Sequence, residues 1–268
     1  MPKILILYFS QYGHTKDLAY RISKKLENAS IPADIKSVPK DTIDDASSYK
    51  LIFIGSPVYY GVEPLIWEEY ISRLPDLTGK AGVVFSTYGA ANIESPERHM
   101  LENLTLYFKK KNLKILYSSG TICESTYPPL KKLEISKERP NEKDLEKFDC
   151  HIDQIIKDLK SGKVDRAIYD FSDKTKRHPF ASLFRKGSFM LSPGVKADNR
   201  KCRHCNVCVE VCPAGNIRDN GSIKIGNKCI KCYMCEKVCP QKAVYANWKL
   251  MGAICGEKVY KKFYKERY

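Results

Sequence analysis

No stretch of this 268-residue chain is apolar over the ~20 residues that a bilayer-crossing helix needs. The opening MPKILILYFS holds one lysine and then a short apolar run, too brief for the core of a secretory signal, and reads as a strand. The glycine-rich fingerprints of nucleotide sites, GxxxxGK with Ser or Thr and GxGxxG, are also missing. Acidic residues are scarce in one region only. Residues 1–160 carry 23 Lys+Arg against 22 Asp+Glu, whereas residues 161–268 carry 23 against 9. Nearly all of the net charge of +15 therefore sits in the last two-fifths. Nothing matches a recognised nucleic-acid fold, so no specific nucleic acid is expected as a partner. With neither a span nor a signal core, the expectation is a protein of the reducing cytoplasm.

Cysteine is the opposite case: there are 11, and eight form two copies of one pattern. Cys202, Cys205, Cys208 and Cys212 run up to Pro213, and 27 residues later Cys229, Cys232, Cys235 and Cys239 run up to Pro240. Each copy reads C-x2-C-x2-C-x3-C-P, the spacing of bacterial iron–sulfur cluster ligands. The first three thiolates can wrap three corners of a cube, and the proline leads the fourth away into a turn. In two-cluster chains that fourth cysteine ligates the other cluster. The expected sets are Cys202, Cys205, Cys208 and Cys239 for cluster I, and Cys229, Cys232, Cys235 and Cys212 for cluster II. Structural zinc favours separated pairs, often joined by histidine, and a disulfide framework suits short secreted chains. From about Asp198 to Ala246 the chain resembles the bacterial two-cluster ferredoxins, which implies two [4Fe-4S] clusters and one-electron transfer. Cys123, Cys150 and Cys255 are left over and expected to be reduced and structural.

Part of the positive excess has an internal purpose. An oxidised cube with four thiolates carries about −2, so two of them offset about 4 charges. The remainder forms a basic surface that could steer an acidic redox partner protein, touch nucleic acid or anionic lipid, or simply be solvated.

The first 160 residues alternate strand and helix. Short apolar runs at Lys3–Phe9, Ala33–Val38, Leu51–Pro57, Ala81–Thr87 and Leu113–Thr121 read as strands. Between and after them, Thr15–Asn28, Pro64–Leu74, Pro96–Lys111 and Asn141–Ser161 read as helices. The alternation indicates a parallel sheet covered on both faces. Residues 122–140 are polar and proline-containing and read as a long surface loop. The pattern lapses in a basic connector, 162–197, whose Phe171, Phe180, Phe184, Phe189 and Leu191 suggest that it packs on a domain. The tail, 248–268, is basic and aromatic, with Trp248, Tyr260, Phe263, Tyr264 and Tyr268, and reads as a packing helix.

In an open parallel sheet, ligands bind beyond the carboxyl ends of the strands. After the first strand come Ser10, Gln11, Tyr12, Gly13, His14 and Thr15, then a helix. Hydroxyls and the N–H groups of a helix start form a phosphate cradle. After the third strand come Pro57, Val58, Tyr59, Tyr60 and Gly61, and after the fourth Thr87, Tyr88 and Gly89. These tyrosines can stack on a flat ring. The three loops, FSQYGHT, GSPVYYG and STYGAA, resemble those of the flavodoxins over roughly residues 1–160. The resemblance implies FMN, with Ser10 to Thr15 on its phosphate, and Pro57 to Gly61 and Thr87 to Gly89 flanking its ring system. The Tyr-Gly-His-Thr run is similar to that of the flavodoxin-like quinone reductases, although the family often has Thr where this chain has Tyr12.

The chain as a whole resembles the flavodoxin–ferredoxin fusion proteins. The expected architecture is an α/β doubly wound, flavodoxin-like five-stranded parallel sheet over 1–161, followed by a small α+β two-cluster ferredoxin domain over 198–247. The expected function is electron transfer between two clusters and FMN, with redox proteins as partners and homo-oligomerisation left open. A flavin-dependent reductase of a quinone or other small acceptor is the alternative, and a nucleic-acid-binding or redox-sensing protein a third. No residue is assigned a catalytic role.

Overall fold

A computed structural model describes residues 3–89, 96–163, 187 and 189–254. These form two compact units: residues 3–125 and 134–163 belong to the first, and residues 126–133 join those from 187 onward in the second. Within the described residues no helix is long and apolar enough to cross a membrane.

The first unit is built on β1 (Lys3–Tyr8), β2 (Ala33–Ser37), β3 (Tyr49–Pro57), β4 (Ala81–Gly89) and β5 (Lys114–Cys123). They pair in the order β2-β1-β3-β4-β5, all parallel. The order reverses between β1 and β3, which opens a crevice at their carboxyl ends. Strand alternation divides the core. Ile4, Ile6, Phe53, Val83 and Phe85 point to one face. There they meet Leu18, Ile22 and Leu26 of α1 (His14–Asn28) and Phe148, Ile152 and Ile155 of α5 (Glu142–Lys160). Both helices place apolar residues at three- and four-residue steps, so one stripe faces the sheet. Leu5, Leu7, Ile52, Ile54 and Val84 alternate with the first set and are as deeply buried. Trp67 of α2 (Ile66–Ser72) and Phe108 of α3 (Pro96–Lys109) are fully buried edge to face, with centroids 6.1 Å apart.

The second unit holds two antiparallel pairs, β6 (Val195–Ala197) with β9 (Val244–Ala246) and β7 (Ile217–Asp219) with β8 (Ile223–Ile225). Its helices are α6 (Val207–Glu210), α7 (Met234–Val238) and α8 (Lys249–Ile254). The core gathers Cys208, Ile217, Ile223, Cys235 and Val244, with Cys202, Cys212 and Cys239 against them.

The stretch 122–140, expected as a surface loop, is more ordered than that. Two prolines open a short helix, α4 (Pro128–Lys132), just after Tyr127. The Tyr127 ring stands edge-on to Trp248 at 5.5 Å, and its hydroxyl lies 3.0 Å from that of Ser192. Polarity marks this segment as exposed, but Tyr127 finds aromatic partners far along the chain and Pro129 is buried. Of the expected connector, Phe189 and Leu191 are described, whereas Phe171, Phe180 and Phe184 lie outside the described residues. So do Cys255 and the tail beyond Ile254.

Candidate cofactor sites

The loop after β1 is shaped by Gly13, which adopts φ +104°, a backbone conformation that favours glycine. Its N–H donates to Ser10 Oγ at 3.2 Å, and its carbonyl accepts from Asp17 at 2.9 Å. Gly13 is also the N-cap of α1, and no side chain caps that helix. Helix α5, by contrast, closes its start with a reciprocal Asn141–Asp144 box. A helix start that lacks a side-chain cap and follows a glycine-bent loop fits a phosphate ester. Ser10, Gln11, Tyr12, Gly13 and His14 are half-buried here, whereas Thr15 is buried with its hydroxyl 2.7 Å from that of Thr87. Sequence reasoning placed Thr15 on the phosphate and Thr87 beside the ring; the structure brings their hydroxyls together as a tie between the two loops.

The loop after β3 is a tight turn. Tyr59 and Val62 exchange backbone hydrogen bonds of 2.8 and 3.0 Å. Between them Tyr60 and Gly61 take φ of +56° and +78°, the signs of a type I′ turn. A tyrosine in this left-handed region costs on the order of 1 kcal/mol, and such costs cluster at ligand clamps. Tyr59 stacks edge to face on Phe9 at 6.3 Å, and Val58 N–H donates to the Thr87 carbonyl at 2.9 Å. Pro57 pairs with Thr87 across the strands, so both ring loops leave the sheet side by side. Tyr59, Tyr60 and Tyr88 are all half-buried at this edge. Gly89 also meets a packing demand: a Cβ there would stand 2.6 Å from the Ser125 backbone, so the residue is small enough to let that chain pass.

In the second unit one cavity is lined by Cys212, Cys229, Cys232 and Cys235, together with Val195, Ile217, Ile230 and Tyr233. Three come from the second motif and one from the first. Burial raises the Cys208 thiol, and the nearby charges of Cys239 from the second motif and Cys202 from its own add to that. As free thiols Cys208, Cys229 and Cys235 are made costlier to ionise by burial. Burial pushes Cys235 up to about 12, and Cys232, Cys229 and Cys212 add to it. Iron reverses that balance by binding the thiolates directly. Among the described residues, no three Cys, His, Asp or Glu side chains converge as ligands of a single metal ion. Sulfurs that ring a cavity suit a multi-iron cube, each corner taking one thiolate.

The two motifs repeat backbone geometry at an offset of 27 residues. His204 and Lys231 have φ of +53° and +52°, and Asn206 and Tyr233 both have +58°. Amides donate to sulfur at matching places: His204 to Cys202 at 3.3 Å, Lys231 to Cys229 at 3.4 Å, Asn216 to Cys212 at 3.3 Å and Ala243 to Cys239 at 3.2 Å. Such bonds tune a cluster's potential. Two side chains that sequence reasoning passed over stand at corresponding sites. His204 Nδ1 lies 2.8 Å from Asp219, and Lys231 Nζ donates to the carbonyls of Phe189 at 2.5 Å and Ser192 at 2.7 Å. Aligning the motifs would have paired these positions.

Residues 5–147 match the family model for the flavodoxin domain, and residues 194–240 that for the 4Fe-4S dicluster domain. Among curated proteins, an NAD(P)H dehydrogenase (quinone) of Rhodopseudomonas palustris (strain BisB18) is 26% identical over 133 residues, 42% of this chain and 66% of that protein. A protein of the same name from Acidovorax ebreus (strain TPSY) is 24% identical over the same length and shares. The chain thus spans just under two thirds of the length of these curated relatives. A solved short-chain flavodoxin associated with a bacterial microcompartment aligns at 16% identity and a TM-score of 0.46, over 59% of this chain and 98% of that one.

Proposed function

Because the chain belongs to the flavodoxin domain family, whose model matches more than half of it, and carries a 4Fe-4S dicluster domain beyond that match, we propose that it passes electrons between two [4Fe-4S] clusters and a bound FMN. The observation that carries this reading is the presence of both domains on one chain. FMN exchanges electrons in pairs or singly, whereas each four-iron cluster exchanges one. The bent loop at Gly13 and the start of α1 hold the phosphate, and Tyr59, Tyr60 and Tyr88 flank the ring. Cys202, Cys205, Cys208 and Cys239 hold one cube, and Cys212, Cys229, Cys232 and Cys235 the other. Fusion keeps the centres at a high effective concentration. The protein works in the cytoplasm, where thiols stay reduced, and exchanges electrons with redox proteins.

Quantifying iron, sulfide and flavin in anaerobically purified protein tests the inventory: about eight irons and one FMN per chain are expected, and a flavin-free protein with full iron content overturns the reading.

A second reading, a flavin-dependent quinone reductase fed through the clusters, draws on the curated relatives, whose names carry quinone reduction. Turnover of a quinone with a low-potential electron donor separates the two.

A further inference from the structure

The repeated motifs have the same backbone and opposite surroundings. In the second, Ile230 and Tyr233 are 6% and 2% exposed. Tyr233 is covered by Trp248, with ring centroids 4.4 Å apart, and Lys231 is turned onto the carbonyls of Phe189 and Ser192. In the first, the residues at those three places are Arg203, Asn206 and His204, and all are exposed. The ligand between them, Cys205, is itself exposed, whereas its counterpart Cys232 is half-buried. Just before it, Arg200 and Lys201 have side chains 93% and 65% exposed and share Asp198 as a counter-charge at 3.4 and 3.7 Å. The loop is tied to the β7–β8 hairpin. Asn199 receives the Ile223 N–H at 2.7 Å, and His204 is anchored on Asp219. On the same hairpin Arg218 and Lys224 are cross-strand partners and both exposed. Like charges placed opposite each other destabilise a hairpin, a cost that a negatively charged partner relieves.

We propose that the Arg200–Asn206 loop is the docking surface for an acidic one-electron carrier protein, and that cluster I is the centre through which electrons are exchanged with it. This rests on the electron-transfer reading above. One electron crosses between the carrier's centre and the cube held by Cys202, Cys205, Cys208 and Cys239; one is oxidised by one electron, the other reduced by one, and no bond or proton changes. Transfer falls steeply with distance, so the exposed ligand Cys205 marks the short route, while the aromatic cover closes the matching route to cluster II. Basic side chains around that exit steer an acidic partner and set its orientation.

The test uses the full-length holoprotein and an acidic bacterial two-cluster ferredoxin as probe. Calorimetry gives Kd, and stopped-flow gives the second-order rate of cluster reduction, both across a salt series. One variant reverses Arg200→Glu, Lys201→Glu and Arg203→Glu. A charge-matched control reverses Lys228→Glu, Lys237→Glu and Lys242→Glu around the second motif. The first should weaken binding about tenfold or more at low salt and flatten the salt dependence, and the control should change Kd less than about threefold. Should iron content fall in the reversal, Gln replacements at the same three sites carry the test with a smaller shift. Equal effects from both variants, or none from the first, overturn the proposal, as does a patch that binds duplex DNA and ignores the carrier. Carrier binding at the loop with a flavin that is never reduced leaves the docking surface standing and contradicts the proposed function instead.

Discussion

The hydroxyl oxygens of Thr15 and Thr87 lie 2.7 Å apart inside the first unit, although 72 residues separate them. Thr15 lies in the first turn of α1 and Thr87 near the end of β4, so this bond ties the phosphate loop to a ring loop. Thr15→Val leaves the buried Thr87 hydroxyl without this partner, at a cost of about 1–3 kcal/mol. The double variant Thr15→Val with Thr87→Val should recover much of that, because two apolar groups of the same shape replace the pair. Urea unfolding of wild type, the two single variants and the double variant measures it, and strictly additive losses would contradict the tie.

Gly13 is constrained by conformation and not by crowding. A Cβ there would meet only Asp17 Oδ2, at 3.8 Å, but φ is +104°. Gly13→Ala should therefore distort the loop, lowering FMN affinity about tenfold and stability by about 1 kcal/mol, while iron content stays unchanged. Flavin titration and iron assay check both halves.

Cys212 belongs to the first motif but lines a cavity with Cys229, Cys232 and Cys235. Cys212→Ser is expected to damage cluster II and spare cluster I. Electron paramagnetic resonance of the reduced protein distinguishes the two, and an intact second cluster would refute the crossed ligand sets.

Tyr127 should matter to the second unit despite its place in the sequence of the first domain. Tyr127→Ala removes ring contacts to Tyr233 at 6.3 Å and Trp248 at 5.5 Å, and a loss of about 1–2 kcal/mol is expected. Tyr127→Phe keeps the ring and gives up the hydroxyl contact to Ser192. The rate of iron loss to a chelator reads the difference: faster for Ala, near wild type for Phe.

The leftover cysteines should divide by burial. Cys123 is 1% exposed, and burial pushes its thiol up to about 12, so it stays protonated and unreactive at pH 8. Cys150 is exposed. Iodoacetamide with mass mapping of native protein should find Cys150 alkylated and Cys123 unmodified.

The sequence was most readable where chemistry demands rigid spacing. The cysteine motifs and the five apolar runs each follow from local rules, and the sheet places all three candidate loops at one edge. What escaped was long-range pairing. Nothing near Thr15 names Thr87 as its partner, and nothing near Gly89 names Ser125 as the chain packed against it. The stretch around Tyr127 is polar enough to pass for a loop, because its few apolar groups are used by Trp248 and Tyr233, more than 100 residues away.

The central claim is that electrons move between the clusters and the flavin within one molecule. The direct test mixes holoprotein with a limiting one-electron reductant under anaerobic stopped-flow conditions and follows cluster and flavin absorbance separately. Flavin reduction should trail cluster reduction at a rate independent of protein concentration. A flavin that stays oxidised beside reduced clusters, or a rate that rises in proportion to protein concentration, would contradict the account.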